Sequence, residues 1–165
     1  ALANISPEKL RLHLCWGNYE GPHHWDVPLA DIIDLVFYPP IGHRPYGPSQ
    51  AEKIYANVPG GYRETFNDNV VLVLMIETVL SSQAAKEIGA LPQVFALFGA
   101  TSDLGNFGGY LDADADYEKF IRNAYLAAKD NGKAACTAFR FRGRVNTIAA
   151  IPPAPFNYRF DCYQN

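Results

Sequence analysis

Two apolar runs, each closing on an acidic residue, constrain this chain more than any other feature. Val70-Val71-Leu72-Val73-Leu74-Met75-Ile76 leads directly into Glu77. Val94-Phe95-Ala96-Leu97-Phe98-Gly99 leads through Ala100-Thr101-Ser102 to Asp103. Residues 81–91, between the two runs, read as a helix. Strand, helix, strand in this order predicts two parallel strands joined by a crossover, which sets their C-terminal ends side by side. Both carboxylates are therefore expected on one rim of a sheet or barrel. A carboxylate pair there suits a hard divalent cation that polarises a carbonyl oxygen, and so metal-assisted chemistry on a small oxo-acid. The competing reading is structural: each acid caps a helix where a strand ends, with no metal.

At 165 residues the chain is expected to form one α/β domain with a substantial core. Its hydrophobic fraction of 48% and charged fraction of 19% are those of an ordinary globular protein. A net charge of −3 argues against a nucleic-acid partner. The one basic cluster, Arg140-Phe141-Arg142-Gly143-Arg144, reads as a solvated loop before it reads as a phosphate or carboxylate site. Cys15, Cys136 and Cys162 are far apart and odd in number, and Ala1-Leu2-Ala3-Asn4 does not open a secretion signal. That pattern predicts free thiols in a reducing, cytoplasmic setting. No apolar run approaches the roughly 20 residues a membrane-spanning helix needs, so no membrane partner is expected.

Further elements follow from local pattern. Residues 11–16 alternate and read as a strand, and 17–28 form a polar loop rich in Gly, Pro and His. Pro28 is expected at the first position of a helix over 29–36. Residues 38–48 are broken by prolines and glycines and must be a loop, while 49–57 and 61–67 read as short helices. Apolar positions 117, 120, 121, 124, 125 and 128 predict a helix over 116–129, ended by Asn131-Gly132. A strand over 133–139 and another over 147–151 complete the reading, and the Pro-rich tail beyond is unassigned. About five β-α units result, too few for the ~250 residues of a complete eight-unit barrel.

Several of these segments taken in order resemble one family. Tyr38-Pro39-Pro40-x-Gly42-x-Arg44 is followed by Asn67-Asp68-Asn69, by a strand ending Ile76-Glu77-Thr78, by Ser102-Asp103-Leu104-Gly105-Asn106, and by a helix ending Gly132-Lys133. The set is similar, over residues 37–144, to the metal-dependent 2-oxo-acid aldolases of the 2,4-dihydroxyheptenedioate aldolase and citrate-lyase-like superfamily, which includes macrophomate synthase. The resemblance implies a partial or shortened (β/α)8 TIM barrel, one that oligomerisation into a homo-oligomer could complete. It implies a carbon–carbon lyase acting on a 2-oxo-acid such as pyruvate, with Glu77 and Asp103 holding magnesium or manganese. Backbone amides of Gly99, Ala100, Thr101 and Ser102 would seat the substrate carboxylate. The chain departs from the family in carrying Met75 before the Ile-Glu pair, where a glutamine is common, and Ala100-Thr101 where glycine-proline usually precedes the metal aspartate. The first half of the family's barrel, with its acid–base histidine and an arginine, has no counterpart in its expected place.

The front of the chain resembles something else. Residues 9–36, with His13 and Cys15 in a His-x-Cys pair, are similar to the zinc-barrel segment of cobalamin-independent methionine synthase-like proteins. That resemblance implies a zinc-thiolate methyl or alkyl transferase, set against the plainer reading that both side chains face an interior. A third hypothesis is a non-catalytic half-barrel fragment or chimera, joined near Val36-Phe37. His23 and His24 are candidate acid–base groups or members of a solvated loop. Arg44 either binds a substrate carboxylate bidentately or braces the proline-rich loop. Asp112-x-Asp114-x-Asp116 lacks the glycine and glutamate of a calcium loop and is read as helix capping. Gly105, Gly108 and Gly109 do not make a dinucleotide fingerprint.

Overall fold

The computed structural model describes residues 28–45, 59–109, 115–138, 145–146 and 156–164. The chain divides into two compact units, residues 1–70 and 71–165.

In the first unit, α1 (Leu29–Val36) and α2 (Tyr62–Asn69) flank the proline-rich loop. Pro28 is the N-cap of α1, one place earlier than its expected first helical position. Its backbone is extended, with φ −53° and ψ 140°, and its carbonyl accepts from the Asp31 and Ile32 amides. The loop folds back on α1, with the His43 amide donating to the Asp34 carbonyl and the Arg44 amide to that of Phe37, both at 2.9 Å. Gly42 allows this approach, because a Cβ there would collide with both carbonyls. Asn67 of α2 pins the loop from the other side. Its Oδ1 accepts from the Tyr38 amide at 2.9 Å and its Nδ2 donates to the Tyr38 carbonyl at 2.8 Å. The helix expected over 49–57 lies outside the described residues.

The second unit begins with β1 (Leu72–Ile76), followed by α3 (Val79–Gln83), α4 (Ala85–Gly89), β2 (Val94–Gly99) and α5 (Thr101–Gly108). α6 (Ala115–Asp130) and β3 (Ala134–Ala138) come next, then β4 (Val145–Asn146), β5 (Phe156–Asn157) and β6 (Cys162–Gln164). The main sheet has the order β1-β2-β3-β6, and its neighbours are parallel throughout. β4 and β5 form a separate antiparallel pair. Among the described residues the expected partial barrel is represented by a four-stranded parallel sheet, fewer than the five β-α units read from the sequence.

α6 buries Tyr117, Phe120, Ile121, Ala124, Tyr125 and Ala128, the helical stripe read from the sequence, and Ala127 beside it. It ends where Asn131-Gly132 predicts. Gly132 takes φ +67°, and the Lys133 amide reaches back to the Ala128 carbonyl at 2.8 Å, the 6→1 bond of a glycine C-cap. The single helix expected over 81–91 is two short ones. The chain turns at Ala84 so that Ala85 and Gly89 are buried. A Cβ on Gly89 would stand 3.0 Å from the Ala127 carbonyl oxygen, so α4 and α6 meet backbone to backbone.

The unassigned tail supplies the fourth strand. Tyr158 donates to the buried Glu118 Oε1 at 2.6 Å, and the Arg159 amide donates to the Tyr125 hydroxyl at 3.1 Å. Asp161 accepts from Lys129 Nζ at 2.6 Å and from the Ala135 amide at 2.7 Å. Burial alone would raise the Asp161 carboxyl, but the hydrogen bonds from Lys129 and Ala135 and the Lys129 charge outweigh it and hold it below its ordinary value. Cys136 and Cys162, expected as free thiols, are joined in a disulfide. β3 and β6 place them as direct partners, with Cα atoms 4.5 Å apart, within bridging reach. Cys15 and the strand expected over 147–151 lie outside the described residues. No described helix is long and apolar enough to cross a membrane.

Candidate active site at the C-terminal edge of the sheet

β1 and β2 run in parallel with Ile76 opposite Gly99. The ladder carries one step further, as the Ala100 amide donates to the Ile76 carbonyl at 3.0 Å. Glu77 and Ala100 therefore leave the sheet together, on adjacent strands and at the same edge. Asp103 follows in the first turn of α5, and both acids are half-buried. Glu77, Gly99, Ala100, Thr101, Ser102 and Asp103 are thus brought to one edge, as the strand-helix-strand reading predicts.

Neither acid is an N-cap. Thr78 caps α3: its Oγ1 accepts from the Ser81 amide at 3.1 Å, while Ser81 Oγ accepts from the Thr78 and Glu77 amides at 3.0 and 3.2 Å. This capping box satisfies the Ser81 amide of α3 and the Thr78 amide before it, and ties down the backbone of Glu77. The N-cap of α5 is Ala100, whose methyl joins an apolar cluster with Phe98 and Cys136 and has no acceptor to offer. Asp103 sits in the first turn, where a carboxylate also complements the helix dipole.

The turn between β2 and α5 is held through its carbonyls. Thr137 Oγ1, fully buried on β3, donates to the Gly99 carbonyl at 3.1 Å. The Leu104 amide donates to the Ala100 carbonyl at 2.9 Å, and the Tyr117 hydroxyl to the Thr101 carbonyl at 2.8 Å. The Thr101 side chain is 1% exposed, and its Oγ1 has no hydrogen-bond partner among the described residues. Thr137 and Tyr117 escaped the sequence reading, since nothing local ties a residue on another element to this turn. The Thr78-x-x-Ser81 spacing after a strand was the one available signal.

The donor set at the edge is oxygen only, which suits a hard divalent ion. Among the described residues no group of three or more His, Cys, Asp or Glu side chains is gathered for a metal. Arg44 belongs to the first unit, where its guanidinium packs on the rings of Phe66 at 4.5 Å and Tyr38 at 5.0 Å, and Nη1 donates to the Val36 carbonyl at 3.4 Å. These contacts are cation–π packing on two rings of the same unit. His13, Cys15, His23 and His24 lie outside the described residues.

No family model matches the chain. It is 32% identical over 102 residues to a 2-dehydro-3,6-dideoxy-6-sulfogluconate aldolase of Pseudomonas putida, covering 61% of this chain and 40% of that protein. It is also 32% identical over 108 residues to a hydroxypyruvate/pyruvate aldolase of Roseovarius nubinhibens, covering 64% of this chain and 42% of the relative. The chain thus spans about two-fifths of the length of these relatives. Among solved structures, an HpcH/HpaI aldolase/citrate lyase family protein from Burkholderia cenocepacia aligns with a TM-score of 0.58 at 22% identity, over 67% of this chain and 48% of that one. Macrophomate synthase aligns at 0.54 and 20% identity, over 66% of this chain and 41% of that one. These similarities lend no support to the methionine synthase-like reading of residues 9–36. Over about three-fifths of its length the chain is similar in sequence to aldolases, and its fold is that of part of an HpcH/HpaI aldolase and citrate lyase-like protein.

Proposed function

We propose that the chain is the catalytic part of a divalent-metal-dependent carbon–carbon lyase acting on a small 2-oxo-acid such as pyruvate. The observation that carries this reading is the placement of Glu77 and Asp103 at one edge of two neighbouring parallel strands. The aldolase names of both sequence relatives support it. Glu77 and Asp103 would hold magnesium or manganese, which when bound supplies Lewis-acid stabilisation of charge developing on the ketone oxygen. The first turn of α5 lies beside them, with amides that have no acceptor inside the helix and a dipole that favours an anion. A substrate carboxylate seated there would turn its 2-oxo carbon toward the acids. The pinned carbonyls of Gly99, Ala100 and Thr101 keep this cradle from rotating. In this reading His23 or His24 moves the proton, and Arg44 acts by bracing its loop.

The test is calorimetric titration with magnesium or manganese, with and without pyruvate or oxalate. The parent chain should bind the ion, and oxalate should bind only with it. Equal ion binding by Glu77→Gln and Asp103→Asn would refute the assignment.

The reading includes self-association. Among the described residues β1 is an edge strand, and the face carrying Val71, Val73 and Met75 is exposed, so an unpaired parallel edge beside an apolar face would favour a second copy. Light scattering should show a homo-oligomer at micromolar concentration, and a strictly monomeric species would remove this part.

A further inference from the structure

We infer that the Thr101 hydroxyl is a substrate-binding group of this site, donating a hydrogen bond to the carboxylate of the bound oxo-acid. The inference rests on the lyase reading above and names a side chain where that reading invokes only backbone amides.

Buried hydroxyls elsewhere in the second unit are satisfied. Ser82 Oγ donates to the Phe120 carbonyl at 2.9 Å, and Thr137 Oγ1 to that of Gly99 at 3.1 Å. Thr101, as deeply buried as either, is the exception among the described residues. A hydroxyl taken out of water and left without a partner is destabilising, and folded proteins rarely carry one without a reason. A helical threonine usually turns its hydroxyl to a carbonyl three or four residues back. Here those carbonyls belong to Phe98 and Leu97, in β2 and not in the helix. Its own carbonyl is already held by Tyr117.

The location says what the hydroxyl serves. Thr101 is the first residue of α5, an eight-residue helix, and helical side chains tilt toward the N-terminus of their helix. Its Cβ is therefore directed toward the start of the helix, two residues before Asp103. Ala100 provides no cap there. In the inferred arrangement the first-turn amides, the helix dipole and the hydroxyl would serve one planar carboxylate, which enters where Thr101 Oγ1 is now covered. The hydroxyl would be a third kind of donor for that carboxylate, and it selects for the acid over ligands with no anionic oxygen to accept from it.

The experiment is oxalate titration in saturating magnesium, read by calorimetry on the parent, Thr101→Val and Thr101→Ser, with the thermal midpoint of each ligand-free protein. Thr101→Val keeps the shape and removes the hydroxyl. It should weaken oxalate about tenfold, the usual scale for one charged hydrogen bond, leave magnesium binding unchanged, and raise the ligand-free midpoint. Thr101→Ser should hold oxalate within about threefold of the parent, on the same scale. Equal oxalate affinity in the parent and Thr101→Val overturns the inference while the lyase reading stands. A lowered midpoint in Thr101→Val also overturns it, since the hydroxyl would then have an internal partner. Failure of the parent itself to bind oxalate with magnesium overturns both.

Discussion

The chain leaves its sheet for a helix at two neighbouring points, and it finishes the two junctions in opposite ways. At Glu77-Thr78 the helix start is closed locally, with Thr78 and Ser81 exchanging side-chain and backbone hydrogen bonds. At Ala100-Thr101 the cap is an alanine, and the turn is held from a distance by Thr137 on β3 and Tyr117 on α6. The first arrangement gives the Thr78 and Ser81 amides side-chain acceptors within four residues. The second pins the carbonyls and leaves the helix start to whatever binds there. Both junctions carry a carboxylate, and in the proposed function the closed one fixes an acid while the open one receives a ligand.

The largest effect should come from removing those acids. Glu77→Gln or Asp103→Asn should weaken magnesium at least about a hundredfold by calorimetry, beyond the ten- to hundredfold typical of losing an outer-shell partner. A loss confined to one of the two would make the junctions unequal in ion binding as well as in capping. Next is Tyr117→Phe, which strips the donor from the Thr101 carbonyl inside the protein. It should cost about 1–3 kcal/mol, read as a lowered thermal midpoint. An unchanged midpoint would mean the open junction does not depend on its distant support.

Thr78→Ala tests the closed junction and should cost about 1 kcal/mol, the usual cost of losing a threonine cap. It should spare oxalate binding, since the cap closes α3 and not the anion cradle.

The smallest effect lies at the other end of β3, where Asp161 answers the Ala135 amide. Its folded pKa is depressed below the ordinary 3.8. Its contribution is therefore complete above about pH 4 and is lost as pH falls through the lower folded value. Asp161→Asn should cost under about 1 kcal/mol at neutral pH, as expected for a partly exposed pair. It should also flatten the fall of the thermal midpoint between pH 5 and pH 3, in units set by about one carboxyl group.

The parts of this architecture that were readable in advance are those encoded by short-range pattern. The two apolar runs became β1 and β2, the stripe through Tyr117, Ile121, Ala124 and Ala128 became α6, and Asn131-Gly132 ended it with a left-handed glycine. Parallel pairing then followed from chain order, and with it the shared edge of Glu77 and Asp103. Residues 101–108 were not read as a helix, because Gly105 and Gly108 weaken its pattern and Ala100 gives no start signal. The C-terminal strand was missed for a related reason. Three residues are too few to show a period, and β6 exists because Asp161, Tyr158 and the Cys136–Cys162 bridge fasten it to elements distant in sequence.

The sequence by itself determined where this chain would make strands and its longest helix, and that two acids would emerge beside one another. Period and chain order are local properties, written in the spacing of apolar residues. Only the tertiary structure decided that one helix start would be sealed and the other open, with a threonine buried there beyond the reach of any partner among the described residues. Hydrogen-bond satisfaction depends on which groups packing brings within 3 Å or so, and no run of neighbouring residues records that.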